Sequence, residues 1–352
     1  MNEISISGRK IGLSHSPFII AEMSGNHNQS LERALKIVEA AAKSGAHAIK
    51  LQTFTADTMT IDVDSEQFRI QDENSLWHGR SLYSLYHEAH TPWEWHRTIF
   101  DYARSLGIIP LSTPFDESSV DFLETLDAPC YKIASFENKD LALIRRVAKT
   151  GRPIILSAGM ATLSDLDEAV SCARMAGCND LILLKCTSTY PASPASSNLK
   201  TMQSMRDLFN CQVGLSDHTI GLGVAVASVA LGATVIEKHF TLSRSDGGVD
   251  SQFSCEPEEM RQLVVETKNA WDSLGRVQYG FQSAAEEKSK VFRRSLYAVC
   301  DIKAGQALSR ENVRAIRPGY GLPPADLDKI LNLKAKEDIA RGTPISWDLF
   351  FR

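Results

Sequence analysis

Eight short, strongly apolar runs alternate with longer segments of helical periodicity through most of this chain, and that alternation leaves few folds open. The runs lie at residues 18–21, 48–51, 108–111, 131–134, 154–156, 181–184, 213–215 and 235–236. They are brief and rich in β-branched residues, as strands buried on both faces of a parallel sheet must be. Eight such strands, each followed by a helix, is the count of a closed (β/α)8 TIM barrel. An open doubly wound sheet is the competing α/β arrangement.

The intervening segments carry helix signals of their own. Leu31, Ala34, Leu35, Val38 and Ala41 form one apolar stripe at helical spacing, with Ser30 as N-cap. Thr91-Pro92-Trp93-Glu94 reads as a capping box with proline at the first helical position. Thr162 and Gly177 bracket a further helix. Residues 53–90 are too many for an ordinary βα loop, and Leu76, Trp77, Leu82, Tyr83, Leu85 and Tyr86 are too apolar for a solvated linker. That segment is expected to form a lid or wall over the barrel mouth.

The barrel is expected to span residues 1–275. A polar linker follows at 276–291, carrying Gln278, Gln282, Glu286, Glu287, Lys288 and Lys290. A small domain then occupies 292–352, where the stretch 301–309 (DIKAGQALS) is echoed at 338–346 (DIARGTPIS). Two copies of one turn motif imply a compact pseudo-symmetric unit.

A formal net charge of −5 gives no basic surface for nucleic acid. No apolar run reaches membrane-spanning length, because the one at 224–236 is broken by Gly232. The start, MNEISISGRK, lacks the apolar core of a signal peptide. The seven cysteines are scattered without a C-x-x-C pair, which indicates thiols in a reducing compartment. A cytoplasmic chain is expected.

Catalytic groups of such barrels collect where the strands end. Here the runs stop in Glu22, Asn26 and His27; in Lys50 and Gln52; in Ser112 and Thr113; and in Lys132, Ser135 and Glu137. The later ones stop in Ser157; in Lys185, Thr187, Ser188 and Tyr190; in Ser216, Asp217 and His218; and in Glu237, Lys238 and His239. Lys50 and Lys132 interrupt apolar strands, and a buried lysine is costly unless it meets an anion. With Thr113, Ser135, Ser157 and Ser216 they suit a phosphate and a carboxylate together, or else they pair with Glu22 and Glu137. His218 and His239 end neighbouring strands and can converge on one divalent metal, or be ordinary satisfied histidines. The loop carrying Asp250 follows the last strand.

At these residues the sequence resembles the sialic acid synthase family. The matching stretches are FIIAEMSGNHN (18–28), AIKLQ (48–52), STPFD (112–116), YKIASFEN (131–138), ILSAGMAT (155–162), KCTSTYP (185–191), VGLSDHT (213–219) and VIEKHF (235–240). RRSLYA (293–298), DIKAGQALSRENV (301–313) and RPG (317–319) resemble that family's antifreeze-protein-like (SAF) domain. The resemblance implies condensation of phosphoenolpyruvate with an open-chain amino sugar and release of phosphate. It also implies a divalent metal (Mn2+, Mg2+ or Co2+) on His218 and His239. Lys50, Thr113, Lys132, Ser135, Ser157 and Ser216 match the phosphoenolpyruvate site. Glu22, Glu137, Tyr190 and Asp250 match sugar-binding and acid/base positions, with Asn26, Gln52, Phe136 and Ser188 beside the sugar. Arg317 matches an arginine reaching across from the partner of a domain-swapped homodimer.

Phe136 and Ser188 depart from N-acetylneuraminate-making members, which carry glycine and asparagine there. The stretch LWHGRSLYSLYHEAHTPWEW (76–95) instead resembles pseudaminic acid synthases, whose sugar is a 6-deoxy di-acetamido hexose. Legionaminate synthesis by the same mechanism is the near alternative. A Schiff-base aldolase using Lys185 and a non-catalytic carbohydrate sensor are alternatives of other classes.

Overall fold

The structure is a computed structural model and describes residues 2–73 and 75–351. A hairpin of β1 (Ile4–Ile6) and β2 (Arg9–Ile11) precedes eight parallel strands. These are β3 (Phe18–Glu22), β4 (Ala48–Thr53), β5 (Ile109–Pro114), β6 (Tyr131–Ile133), β7 (Ile154–Ser157), β8 (Leu181–Cys186), β9 (Gln212–Asp217) and β10 (Val235–His239). They pair in chain order, and β10 pairs with β3 to close the barrel. The open sheet is thereby excluded. Ladder pairing carries β10 three residues beyond its apolar run, with Glu237, Lys238 and His239 opposite Ile20, Ala21 and Glu22.

Alternation along each strand sorts the core into two layers. Ile19, Ala21, Ile49, Leu51, Tyr131, Ile133, Leu181, Leu183, Val213, Leu215 and Ile236 pack outward against the helices. Phe18, Ile20, Ala48, Leu111, Ile155, Ile182, Leu184 and Val235 fill the interior together with Ile4, Ile6 and Ile11 of the hairpin. The hairpin therefore closes the end of the barrel where the strands begin. Its signal was present in the alternation of Ile4 and Ile6 ahead of Ser7-Gly8, both at positive φ (47° and 81°), the backbone of a tight hairpin turn.

The helix over Leu31–Lys43 has Ser30 as N-cap, its side chain accepting from the Arg33 N–H. Thr162 and Asp165 form a reciprocal capping box on the helix Leu163–Met175. The capping box expected at Thr91 does not form. Pro92 takes the N-cap of the helix Trp93–Ser105, and Thr91 is buried with its hydroxyl against His27 Nε2 at 3.2 Å. A buried hydroxyl takes the partner that tertiary packing brings to it, which here overrides the local cap.

The chain forms two compact units, Met1–Gly275 and Arg276–Arg352. In the second, β11 (Ser295–Ala298) pairs antiparallel with β12 (Val313–Ile316). The two repeat copies grip one another: Ile302 and Ile339 exchange backbone hydrogen bonds of 2.8 Å in both directions. Asp301 accepts from the Arg341 N–H and Asp338 from the Ala304 N–H, each at 2.8 Å. The sequence repeat is thus a structural twofold within this unit.

Candidate active site

The period of two that sends alternate residues inward turns chemical at the far end of each strand. Glu22, Lys50, Gln52, Thr113, Lys132, Ser157, Ser216, Glu237 and His239 share the inward parity of the apolar interior beneath them. Lys50 Nζ stands 2.5 Å from Glu22 Oε2, 3.4 Å from Glu237 Oε1 and 3.1 Å from Thr113 Oγ1. Lys132 Nζ donates to Ser157 Oγ at 2.7 Å and lies 3.6 Å from Glu237 Oε2. Gln52 donates to Glu22 Oε1 at 3.0 Å. Ser216 sits in register between Cys186 and Glu237.

The two lysines differ. Burial works against both ammonium groups. Glu22 and Glu237 together hold Lys50 above its ordinary value, whereas burial wins at Lys132 and lowers it. Lys132 is the cation short of negative charge. It gains most when an anion arrives.

The histidines converge as well. The rings of His218 and His239 are 5.4 Å apart between centroids, and Tyr190 lies 4.4 Å from the His218 ring. His218 Nδ1 bonds the Thr187 carbonyl at 2.9 Å, which leaves Nε2 for another partner. His239 Nδ1 is buried without a hydrogen bond, with Asp250 Oδ2 3.8 Å away. Burial, then the positive neighbours His218 and Lys50, hold His239 well below its ordinary value, so it is a neutral imidazole. No three His, Cys, Asp or Glu side chains form a closed metal shell among the described residues. Two imidazoles, one with an unpartnered nitrogen, fit an open metal site whose other positions are left to water and substrate.

Above these groups opens a cavity of about 670 Å³. Its polar lining includes Gln52, Ser135, Glu137, Ser188, Tyr190, His239 and Asp250. Ser188 donates to Ser135 at 3.0 Å; a Cβ on Gly159 would stand 2.2 Å from Ser188 Oγ and 2.7 Å from the Ser135 Cβ, so glycine lets the segments after β6, β7 and β8 approach here. Asp250 accepts from the Ser24 hydroxyl. Burial raises the carboxyls of Asp250 and Glu22 and pushes Glu137 up to about 7, with Lys132 pulling Glu137 the other way. Tyr190 is likewise raised by burial and stays protonated.

The segment 53–90 forms one wall, through Phe54, Met59, Ile70, Trp77, Leu85 and Tyr86. Trp77 Nε1 donates to the Val249 carbonyl at 3.0 Å and so ties this wall to the loop bearing Asp250. Phe136 lies across the mouth and is 63% exposed. Asn26 is fully buried, its amide spent at 2.9 Å on the Phe240 carbonyl and on Ser254 Oγ, and it is not among the lining residues. Arg317 belongs to the other compact unit, exposed and without an ion pair or side-chain hydrogen bond among the described residues. Lys185 has the outward parity of Leu181 and Leu183, and its Nζ bonds the Cys186 carbonyl at 2.9 Å. That takes away the geometric basis for a Schiff-base lysine.

The NeuB family model matches residues 37–279, and the SAF domain model matches residues 293–350. The chain belongs to the NeuB family. It is 45% identical to the pseudaminic acid synthase of Campylobacter jejuni, over 92% of this chain and 94% of that one. It is 41% identical to the pseudaminic acid synthase of Helicobacter pylori, over 94% and 97% respectively. The N-acetylneuraminic acid synthetase of Leptospira borgpetersenii, solved with citrate, superimposes with a TM-score of 0.73 at 30% identity, covering 82% of this chain and 95% of that one.

Two residues of this NeuB-family barrel were given no specific role from the sequence: Glu237, noted only as a strand-end group, and Cys186, counted only among the scattered thiols. Glu237 bridges Lys50 and Lys132, which hold its carboxyl below the ordinary range against burial. Its inward parity with His239, two residues on, was the available signal. Cys186 Sγ lies 3.9 Å from His218 Nδ1 and 3.7 Å from Ser135 Oγ. Burial opposes its thiolate, yet His218 and then Lys132 bring the thiol down to about 7. Pairing of β8 with β9 sets it there.

Proposed function

We propose that the chain joins C3 of phosphoenolpyruvate to the aldehyde carbon of an open-chain 2,4-diacetamido-2,4,6-trideoxyhexose, giving pseudaminic acid and inorganic phosphate. The observation that carries this reading is one barrel mouth holding two buried ammonium groups, two converging imidazoles and a largely apolar wall. Lys50 and Lys132, with Thr113, Ser135, Ser157 and Ser216, hold the carboxylate and phosphate of the enol ester and stabilise the phosphate as its C–O bond breaks. His218 and His239 are the residues that hold a divalent metal (Mn2+, Mg2+ or Co2+), which supplies Lewis-acid polarisation of the aldehyde. Imidazole ligands favour Mn2+ or Co2+ over Mg2+, which prefers oxygen. Glu137 gives a proton to the aldehyde oxygen as the C–C bond forms. Glu22 or Asp250 takes the proton of the water that adds at C2. We place the reaction in the cytoplasm, which suits the free thiols of all seven cysteines.

The sugar is tested by phosphate release. The apolar wall welcomes a 6-methyl and acetamido methyls, and each well-placed methyl is worth about 1–3 kcal/mol. The kcat/KM for the 6-deoxy di-acetamido sugar should exceed that for N-acetylmannosamine by about an order of magnitude or more. Equal or inverted values overturn the assignment.

The pH profile tests Glu137. A carboxyl pushed up to about 7 gives its proton best below that pH. The rate should therefore fall as pH rises through about 7, and Glu137→Gln should be slower and lack that limb. A limb retained in the variant assigns it to another group.

We further propose a homodimer in which Arg317 of one chain completes the barrel site of its partner. An exposed, unpaired arginine suits this role, since its fork can orient an acetamido or hydroxyl group. Mixing Arg317→Ala and His218→Ala chains under subunit exchange should restore roughly a quarter of wild-type activity, one working site in half the dimers. Demonstrated exchange with no recovery rules the trans arrangement out.

A further inference from the structure

On the outward side of β9 and β10, immediately behind the two histidines, lies an ion pair that the reaction does not use. Lys238 Nζ and Asp217 Oδ2 are 2.8 Å apart, and both side chains are 1% exposed. Their residues are direct register partners on β10 and β9. Each is also the chain neighbour of an imidazole: Asp217 precedes His218, and Lys238 precedes His239. The ammonium reaches past the pair to the Thr219 carbonyl at 2.5 Å. Asp217 Oδ1 accepts from the Thr219 N–H at 3.0 Å and from its hydroxyl at 2.8 Å. The residues on both sides of His218 are thus fastened to one lysine, and that lysine sits next to His239.

A buried ion pair is weak evidence of a contribution to stability, because apolar or neutral replacements of similar size are often tolerated. What this pair supplies is geometry, since fixed-length charged hydrogen bonds hold two backbone segments in one relation. We infer that Asp217 and Lys238, with Thr219, are positioning residues that set the mutual placement of the His218 and His239 imidazoles for divalent-cation binding. The inference rests on the metal reading of those histidines.

The test compares apo wild-type protein with the double variant Asp217→Asn/Lys238→Met, which removes both charges at nearly constant volume. Titration with Mn2+ alone, followed by the electron paramagnetic resonance of the free ion, reads the affinity. The variant should melt within a few degrees of wild type yet bind Mn2+ at least tenfold more weakly. Its kcat should drop at saturating Mn2+. Mn2+ affinity and kcat within twofold of wild type overturn the inference and leave the pair a packing feature. If the double variant does not fold, Thr219→Val decides: Mn2+ binding at least threefold weaker supports the positioning role, and unchanged binding overturns it. A wild-type chain that holds no Mn2+ overturns the metal reading itself, an outcome told apart from failure of the pair by the wild-type titration.

Discussion

Lys132→Ala should lose about two to three orders of magnitude in kcat/KM for phosphoenolpyruvate, the scale on which loss of one preorganised charge-stabilising group registers. The reason lies in the imbalance between the two lysines. Lys50 is held by Glu22 at 2.5 Å and by Glu237 at 3.4 Å, whereas Lys132 has one carboxylate, at 3.6 Å, and a neutral hydroxyl. An incoming phosphate or carboxylate therefore adds most to Lys132, and its strength grows as negative charge gathers on the departing phosphate. Truncation also leaves Glu237 leaning on Lys50 alone, so some loss of Tm is expected as well. Lys132→Met separates the effects by restoring volume without charge: stability should recover and turnover should not. Unchanged kinetics in Lys132→Ala would make that lysine a structural ion-pair member.

Replacing either histidine should be more severe. His239→Ala and His218→Ala are each expected to take turnover to background, and a chelator should do the same to the unaltered chain. Mn2+ or Co2+ added back restores the chelated wild type and neither variant. Removing a ligand should weaken metal binding by more than the roughly ten- to hundredfold that loss of an outer-shell partner costs. The fold should survive. His239 is a neutral imidazole with a buried, unpartnered Nδ1, so alanine gives up packing but also removes an unsatisfied polar atom. Full activity in metal-stripped, chelator-treated protein would sink the metal reading.

Much of the scaffold was legible because the forces that select it are local and periodic. Runs at 18–21 or 181–184 have no polar face, so they must lie inside a sheet covered on both sides, and eight of them interleaved with helices close most simply on themselves. The caps at Ser30 and Thr162 involve residues three apart and were readable for the same reason. Thr91 was not, since its hydroxyl is taken by His27, 64 positions away. The Ile4–Ile11 hairpin went unread because the alternation of Ile4 and Ile6 covers only three residues, too short to stand out even ahead of the Ser7-Gly8 turn.

The sequence by itself determined the parity of each strand, and with it which polar residues are able to face one another. Lys50 and Gln52, Glu237 and His239 stand two apart, so in any β-strand each pair shares a face. Parity cannot say which strands become neighbours or in what register. Closure of β10 on β3 brought His239 beside Glu22, register set Lys238 against Asp217, and both follow from how whole strands pack. The same closure placed Glu237 between two lysines, and pairing of β8 with β9 brought Cys186 within 3.9 Å of His218. Those distances depend on pairs far apart in sequence. Each is decided only when the entropy of closing a long loop is repaid by burying both partners' strands in one barrel.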